Sequence, residues 1–489
     1  MGRDALVYAL GFIAQRAAGF LMLPIYTRYL DPAAYATLHL VQMTLDVTSI
    51  LLASGVTAGV YRYYFKTEAP TRRRAVILSA WALMTLFNGL GALLLVAFAP
   101  QIAVTVLKDP QATELVYWGA ANFALDPSLV VPALLLQVQR RAVAYTGVSL
   151  ARLTLQLGFN VLFLVGYGEG VRGILWSTCI AYVALNPGLL WGFFRFTGRP
   201  PLRAALKDLV LFGLPYRLTE GGAFILTYAD RFFLLGAHGL FVTGVYSLAY
   251  QFGFVLGYLG AVPFFMAWNP LRFKLADHPP EARAEAFGGG FLLLSVVMVT
   301  LGTGISLFVE PTLGLMSNAD YHGAAPLVPV ILLAYVFQAW TQAVEFGIQV
   351  AERTRYATYG TWIAVVIILA LYALLIPPLG PWGAALATAV AFLARLVAYA
   401  VFAHRLYPVD YPWGPALRTL ASGALAVAGY FAWAPQGFWL QLGAATALTV
   451  AYGLGVWGLA LDRARRVALR RMAARGVAAA QVRLGLGAP

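Results

Sequence analysis

The sequence is short of charge and almost free of cysteine. Charged residues make up 11% of its 489 residues, whereas soluble domains carry about 25%. With 61% hydrophobic residues and a mean hydropathy of +0.75, the chain leaves no room for a soluble domain and is expected to be integral to a membrane. Its single cysteine, Cys179, lies inside an apolar window, so no internal disulfide can form. His39 and His404 are remote from any metal-like cluster. No Walker A loop is present to cradle a nucleotide, so ATP is not expected to drive the protein directly. No Ser/His/Asp arrangement can be read either. The chain is therefore read as a non-enzyme that holds no metal or cofactor. A net charge of +14 suggests nucleic acid at first, but its placement argues against that.

What the sequence has is a succession of apolar windows, each near the roughly 20 residues needed to cross a bilayer. They read as 14 transmembrane helices at about 4–30, 36–60, 75–99, 112–137, 144–166, 172–194, 208–234, 240–267, 286–309, 323–350, 356–377, 381–404, 415–433 and 437–460. Arg16 interrupts the first window, which argues against a cleaved signal sequence. Basic residues fall in alternate loops: Arg62 to Arg74, Arg140-Arg141, Arg195 to Lys207, Arg272 to Arg283, Arg353 and Arg355, and Arg405, whereas the opposite side holds only Lys108 and Arg172. The positive-inside rule then places both termini in the cytoplasm; the expected location is the cytoplasmic membrane of a bacterial or archaeal cell, crossed many times.

An internal repeat follows. Tyr26-Thr27-Arg28-Tyr29-Leu30 is echoed by Tyr228-Ala229-Asp230-Arg231-Phe232. A small residue, Ala36 or Gly244, then opens the next helix, and basic loops recur at matching distances. The expected organisation is an all-α protein with an N-terminal six-helix lobe (1–205) and a C-terminal six-helix lobe (206–408). A pseudo-two-fold axis along the membrane normal relates them, with a central cavity between. Helices 13 and 14 (409–461) are expected to be peripheral, ahead of a basic cytoplasmic tail (462–489). That tail reads equally as a helix on anionic lipid or as a solvated segment.

Polar residues inside the spans form stripes. Tyr145, Ser149, Arg152, Gln156 and Asn160 share one face of the fifth span, and His39, Gln42, Asp46 and Ser49 share one of the second. The tenth carries Gln338, Thr341, Gln342, Glu345 and Gln349; Arg217 and Glu220 are neighbours in the seventh; Arg395 precedes Tyr399 in the twelfth; and Asp126 stands just before Pro127 in the fourth. Such groups either join helices by hydrogen bonds or line a transport path. Intramembrane arginines favour an anionic substrate. The candidate substrate-binding residues are Arg16, Arg28, Arg152, Gln156, Asn160, Arg217, Arg231 and Arg395. Asp46, Asp126, Glu220 and Glu345 are candidates for ion coupling. Mutual pairing of arginines and acids is the competing reading.

The run Gly19 to Leu38, GFLMLPIYTRYLDPAAYATL, with Pro24, Tyr26, Thr27, Arg28, Leu30, Pro32 and Tyr35 in register, resembles the polysaccharide (O-antigen, Wzx-type) flippases of the multidrug/oligosaccharidyl-lipid/polysaccharide (MOP) exporter superfamily. Ala36 stands where that family has glycine. Ser54 to Phe65, Ala229 to Gly236 and Gly244 to Gln251 extend the resemblance over roughly residues 5–405. It implies a two-lobe transporter that moves undecaprenyl-pyrophosphate-linked oligosaccharide to the outer leaflet by alternating access, coupled to sodium, protons or the membrane potential. A polysaccharide polymerase and glycosyltransferases are the implied partners. The Wzx type commonly has twelve spans, and fourteen is the count of the related lipid II flippases. A sodium site of the related family needs a carboxylate in the eleventh span, which this sequence lacks. The alternatives are a cation-coupled multidrug exporter of the same superfamily and a membrane subunit of a polysaccharide synthase complex.

Overall fold

The computed structural model describes residues 20, 22–53, 55–275, 280–456 and 458. Among the described residues there are helices and no strand. In chain order they are α1 (Leu23–Tyr29), α2 (Pro32–Ala53), α3 (Val56–Lys66), α4 (Pro70–Ala97), α5 (Ala99–Thr105), α6 (Thr113–Leu125), α7 (Pro127–Val138), α8 (Ala142–Val161), α9 (Gly170–Thr197) and α10 (Arg203–Leu256). There follow α11 (Val262–Leu275), α12 (Pro280–Met316), α13 (Val328–Val344), α14 (Phe346–Val350), α15 (Arg355–Leu379), α16 (Pro381–Leu406), α17 (Trp413–Trp433) and α18 (Phe438–Gly455).

Ten stretches among the described residues are long and apolar enough to cross a bilayer. One of these, Arg217–Asn269, is 53 residues long and covers the seventh and eighth expected spans. Gly239, at φ 79° and ψ −176°, breaks it in two. The thirteenth and fourteenth expected spans are α17 and α18, of 21 and 18 residues. The first expected span lies mostly outside the described residues, as does the basic tail.

Several expected spans are discontinuous, for identifiable reasons. The second is split between α2 and α3 at Gly55, whose φ of 80° is left-handed, a conformation glycine adopts without steric penalty. The fourth is split between α6 and α7 at Asp126-Pro127. Proline has no backbone N–H, so the Phe123 carbonyl, four residues earlier, loses its helical donor. Asn88 of α4 supplies a replacement, its Nδ2 donating to that carbonyl at 3.0 Å. Asn122 Nδ2 donates across to the Leu175 carbonyl of α9 at 3.0 Å. The fifth and eighth spans each contain a π-helical turn, Leu162–Gly166 and Gly257–Ala261.

The chain packs as two compact units, each discontinuous in sequence. Of the described residues, those of Met1–Ala249, Leu315–Ala324 and Thr358–Ala391 make one; those of Tyr250–Gly314, Ala325–Ala357 and Phe392–Pro489 make the other. In the first, a buried cluster around Val60, Ile77, Ala80, Val131 and Leu209 joins α3, α4, α7 and α10. In the second, Tyr250, Phe254 and Tyr335 meet edge to face. There α17 and α18 pack on α12 through Tyr430, Ala444, Ala445 and Leu307. The Glu310 carboxylate accepts from Tyr430 Oη (3.2 Å) and Gln441 Nε2 (3.4 Å) in the same place. Bilayer helices gain little from apolar burial against one another, so such packing and polar contacts carry their association.

Candidate functional site

Helix α8 is the least enclosed of the candidate spans, with 11% of its apolar window buried. Its polar stripe borders a cavity of ≈ 420 Å³ inside the first unit. Tyr145, Ser149, Arg152 and Gln156 line one wall. Leu129, Val130, Ala133, Leu134 and Gln137 of α7 line another, and Thr57 of α3 completes the rim. The volume lies within the range of pockets that hold a small ligand. Arg152 is the only charged residue among those described as lining it. Gln137 Oε1 accepts from Tyr61 Oη at 2.5 Å.

The neighbouring helix α9 holds the cavity side chains in place. Arg152 Nη2 donates to Tyr182 Oη at 2.9 Å, and the guanidinium sits 4.8 Å from the centre of that ring. Tyr182 Oη donates in turn to Asp126 Oδ1 at 2.7 Å. Gln156 Nε2 donates to Thr178 Oγ1 at 3.0 Å. Thr178 and Tyr182 are four residues apart and share a face. Asn186 extends it, with Nδ2 at 3.5 Å from the Leu125 carbonyl. Sequence reasoning missed Thr57, Gln137, Thr178 and Tyr182. The four-residue spacing of Thr178, Tyr182 and Asn186 was a legible signal.

The remaining expected residues are placed elsewhere. Arg16 lies outside the described residues. Asn160, one turn beyond Gln156, is buried and donates to Tyr26 Oη at 2.8 Å. Arg217 Nη2 donates to the Leu52 carbonyl at 3.1 Å, just before the break between α2 and α3, and Glu220 is half-buried one turn on. Arg231 is 2% exposed and paired at 2.7 Å with Asp230, which is fully buried. It also donates to the Thr227 carbonyl at 2.6 Å, and Tyr246 Oη donates to Asp230 Oδ2 at 2.7 Å. Asp46 accepts from Gln42 Nε2 at 3.1 Å. In the second unit, Arg395 Nη2 approaches Tyr399 Oη at 3.4 Å. Glu345 stands between α13 and α14. Nearby, Gln349 Oε1 accepts from the buried Arg272 at 2.9 Å. No His/Cys/Asp/Glu group among the described residues is arranged to hold a metal ion.

Arg28 belongs to a second arrangement in the first unit. The end of α1 is joined to the stretch 315–321 by a run of hydrogen bonds. Arg28 Nη2 donates to the Leu315 carbonyl (2.8 Å) and Thr27 Oγ1 to that of Met316 (3.1 Å). Asn318 Nδ2 donates to the Arg28 carbonyl (3.0 Å), and Tyr321 Oη to that of Leu30 (3.0 Å). The Asn318 amide also approaches the Thr27 carbonyl at 3.3 Å.

Comparison with known proteins accords with this architecture. Residues 1–276 match the model of the family described as polysaccharide biosynthesis protein. The putative protein 1 of the Lsg locus of Haemophilus influenzae is 22% identical over 264 residues, 52% of this chain and 61% of that protein. The chain thus spans about three fifths of that relative's length. Among solved structures, lipid II flippase MurJ in an inward closed conformation superposes with a TM-score of 0.68 at 10% identity, covering 92% of this chain and 98% of MurJ. An inward-facing multidrug resistance MATE family transporter of the MOP superfamily superposes with a TM-score of 0.64 at 13% identity, over 80% and 94% of the two chains. At such identities the likeness is one of fold: an all-helical, multi-pass membrane protein built as the MOP transporters are. The match over more than half of its length shows that the chain belongs to the polysaccharide biosynthesis protein family.

Proposed function

We propose that the protein is a flippase that carries a polyprenyl-pyrophosphate-linked oligosaccharide, of the undecaprenyl-linked repeat-unit type, across the cytoplasmic membrane by alternating access. The observation that supports this most is the α8 cavity, in which one arginine is surrounded by uncharged hydrogen-bonding side chains. A guanidinium grips phosphate oxygens bidentately, and Gln156, Ser149, Tyr145 and Gln137 are suited to sugar hydroxyls. A cavity for cationic drugs calls for the opposite charge, which weighs against the multidrug reading. In this proposal Arg16 and Arg28 are further stations for the pyrophosphate, at different depths of an approximately 30 Å core. Both termini are cytoplasmic. The inside-negative potential favours outward movement of an anion, with Asp46, Asp126, Glu220 and Glu345 as sites for any coupling ion. The lobes 1–205 and 206–408 are the moving bodies, and the polymerase and glycosyltransferases that use the same lipid are the partners.

The test is transport of a fluorescent polyprenyl-pyrophosphate oligosaccharide in proteoliposomes. Arg152→Ala should lose at least ten-fold in transport. Arg152→Lys should recover only part of it, because an ammonium cannot make the bidentate contact. Wild-type transport by Arg152→Ala would refute the assignment. Export of a lipophilic cation, with no movement of the glycolipid, would favour the multidrug exporter.

A further inference from the structure

Arg152 lines the cavity, but the groups that hold it stand behind it. Tyr182 is 4% exposed, and its hydroxyl bridges two charged side chains. It accepts from Arg152 Nη2 at 2.9 Å and donates to Asp126 Oδ1 at 2.7 Å. These two bonds in series put carboxylate and guanidinium within about 6 Å of each other. At that separation, away from bulk water, one charge alters the other's affinity for an ion by about ten-fold or more. Asp126 is itself fixed, because it sits at the α6–α7 break, whose neighbouring carbonyls are tied to α4 and α9 through Asn88 and Asn186. The phenol occupies one of the five N–H donors of the guanidinium and leaves the rest for a ligand.

We propose that Tyr182 and Asp126 are positioning residues that set the affinity of Arg152: a counter-charge relayed through one phenol aims the guanidinium at the cavity and weakens its hold on a phosphate-bearing ligand enough for release. The proposal rests on reading the cavity as an anion site. A transport site has to bind well enough to load and weakly enough to unload. A lone arginine with no opposing charge satisfies only the first requirement. Tyr182 supplies direction, since the ring stacks the guanidinium at 4.8 Å while its hydroxyl fixes the rotation. Asp126 supplies the opposing charge without entering the ligand's space.

Two conservative variants should move binding in opposite directions, which general damage to the fold would not do. Asp126→Asn keeps an acceptor for the phenol and removes the charge. A polyprenyl pyrophosphate should then bind the purified protein about ten-fold tighter, and KM and kcat of transport should fall together. Tyr182→Phe keeps the ring and the carboxylate but removes the bridge. The guanidinium is then drawn toward Asp126, and the same ligand should bind about ten-fold more weakly, with KM rising. Unchanged or weaker binding by Asp126→Asn, with binding abolished by Arg152→Ala, would overturn this inference and leave the anion site standing. Normal binding by Arg152→Ala would overturn the anion site itself, and the inference with it. Should Asp126→Asn fail to fold, Tyr182→Phe decides alone: unchanged KM there rejects the relay.

Discussion

Asp230 and Arg231 show what the sequence leaves open about a charged residue in a span. By sequence, Arg16, Arg28, Arg152, Arg217, Arg231 and Arg395 stand against Asp46, Asp126, Glu220, Asp230 and Glu345 at deep or semi-deep positions of the spans, and counting cannot say which are mutually neutralised. The structure answers for this pair: a 2.7 Å bridge between side chains 2% and 0% exposed, with Tyr246 and the Thr227 carbonyl taking further bonds. Breaking such a pair strands a buried charge, at a cost of about 3–5 kcal/mol, whereas removing both partners costs much less. Asp230→Asn should therefore lower the unfolding temperature in detergent sharply. The double variant Asp230→Asn/Arg231→Met should unfold closer to the parent. Equal destabilisation by the two would show that the pair is not the stabilising unit. Arg152 differs because its bonded partner is a neutral phenol and its remaining donors face a cavity. The residue type was legible in both cases; only the packing distinguishes their roles.

At the scale of the element, the breaks matter most. Pro127 removes a donor from α6, and Asn88 replaces it from another helix. Asn88→Leu should cost about 1–3 kcal/mol by leaving the Phe123 carbonyl unsatisfied. In a Pro127→Ala background the backbone N–H returns, so the same substitution should cost clearly less. A double-mutant cycle of unfolding temperatures measures the difference, and additivity would refute the exchange. The proline was visible in the sequence, but its partner, 39 positions earlier, was not. Gly244 is similar. The repeat marked it as a small residue matching Ala36. In the structure a Cβ there would lie 1.8 Å from the carbonyl oxygen of Pro32, so only glycine allows α10 to approach the start of α2. Four of the five residues of the α8 stripe border one cavity, because i, i+4 spacing is a local property. Thr178 and Tyr182 have the same spacing and escaped notice, because one hydroxyl per turn in an apolar helix is commonly spent on the preceding backbone, as the 3.1 Å bond from Thr178 Oγ1 to the Ile174 carbonyl illustrates.

At the scale of the whole molecule, and on the transport function proposed above, the junction between α1 and residues 315–321 is the contact expected to close one side of the membrane. It is held largely by hydrogen bonds to carbonyls, beside the edge-to-face contact of Tyr321 with Tyr35. We expect it to part during transport. In a Cys179→Ser background, Thr27→Cys/Asn318→Cys should form a disulfide on oxidation, since the two backbones approach within 3.3 Å. Transport should stop when the bond forms and resume on reduction. Full transport by the oxidised protein would show that the junction stays closed throughout the cycle.

By itself the sequence determined the class of the protein, the positions of most of its spans and the stripe that borders the cavity. Each of these follows from local composition or periodicity: too little charge for a water-facing surface, apolar runs of bilayer length, and polar residues a turn apart. Tertiary structure decided the rest. It showed which arginine faces a cavity and which is buried against an acid, and where the chain breaks its helices and what satisfies the carbonyls set free. It also joined Asp126 to Arg152 through Tyr182. The physical reason is that a guanidinium in a low-dielectric interior is defined by the atoms within a few ångströms of it, and here those atoms come from helices far apart in the chain.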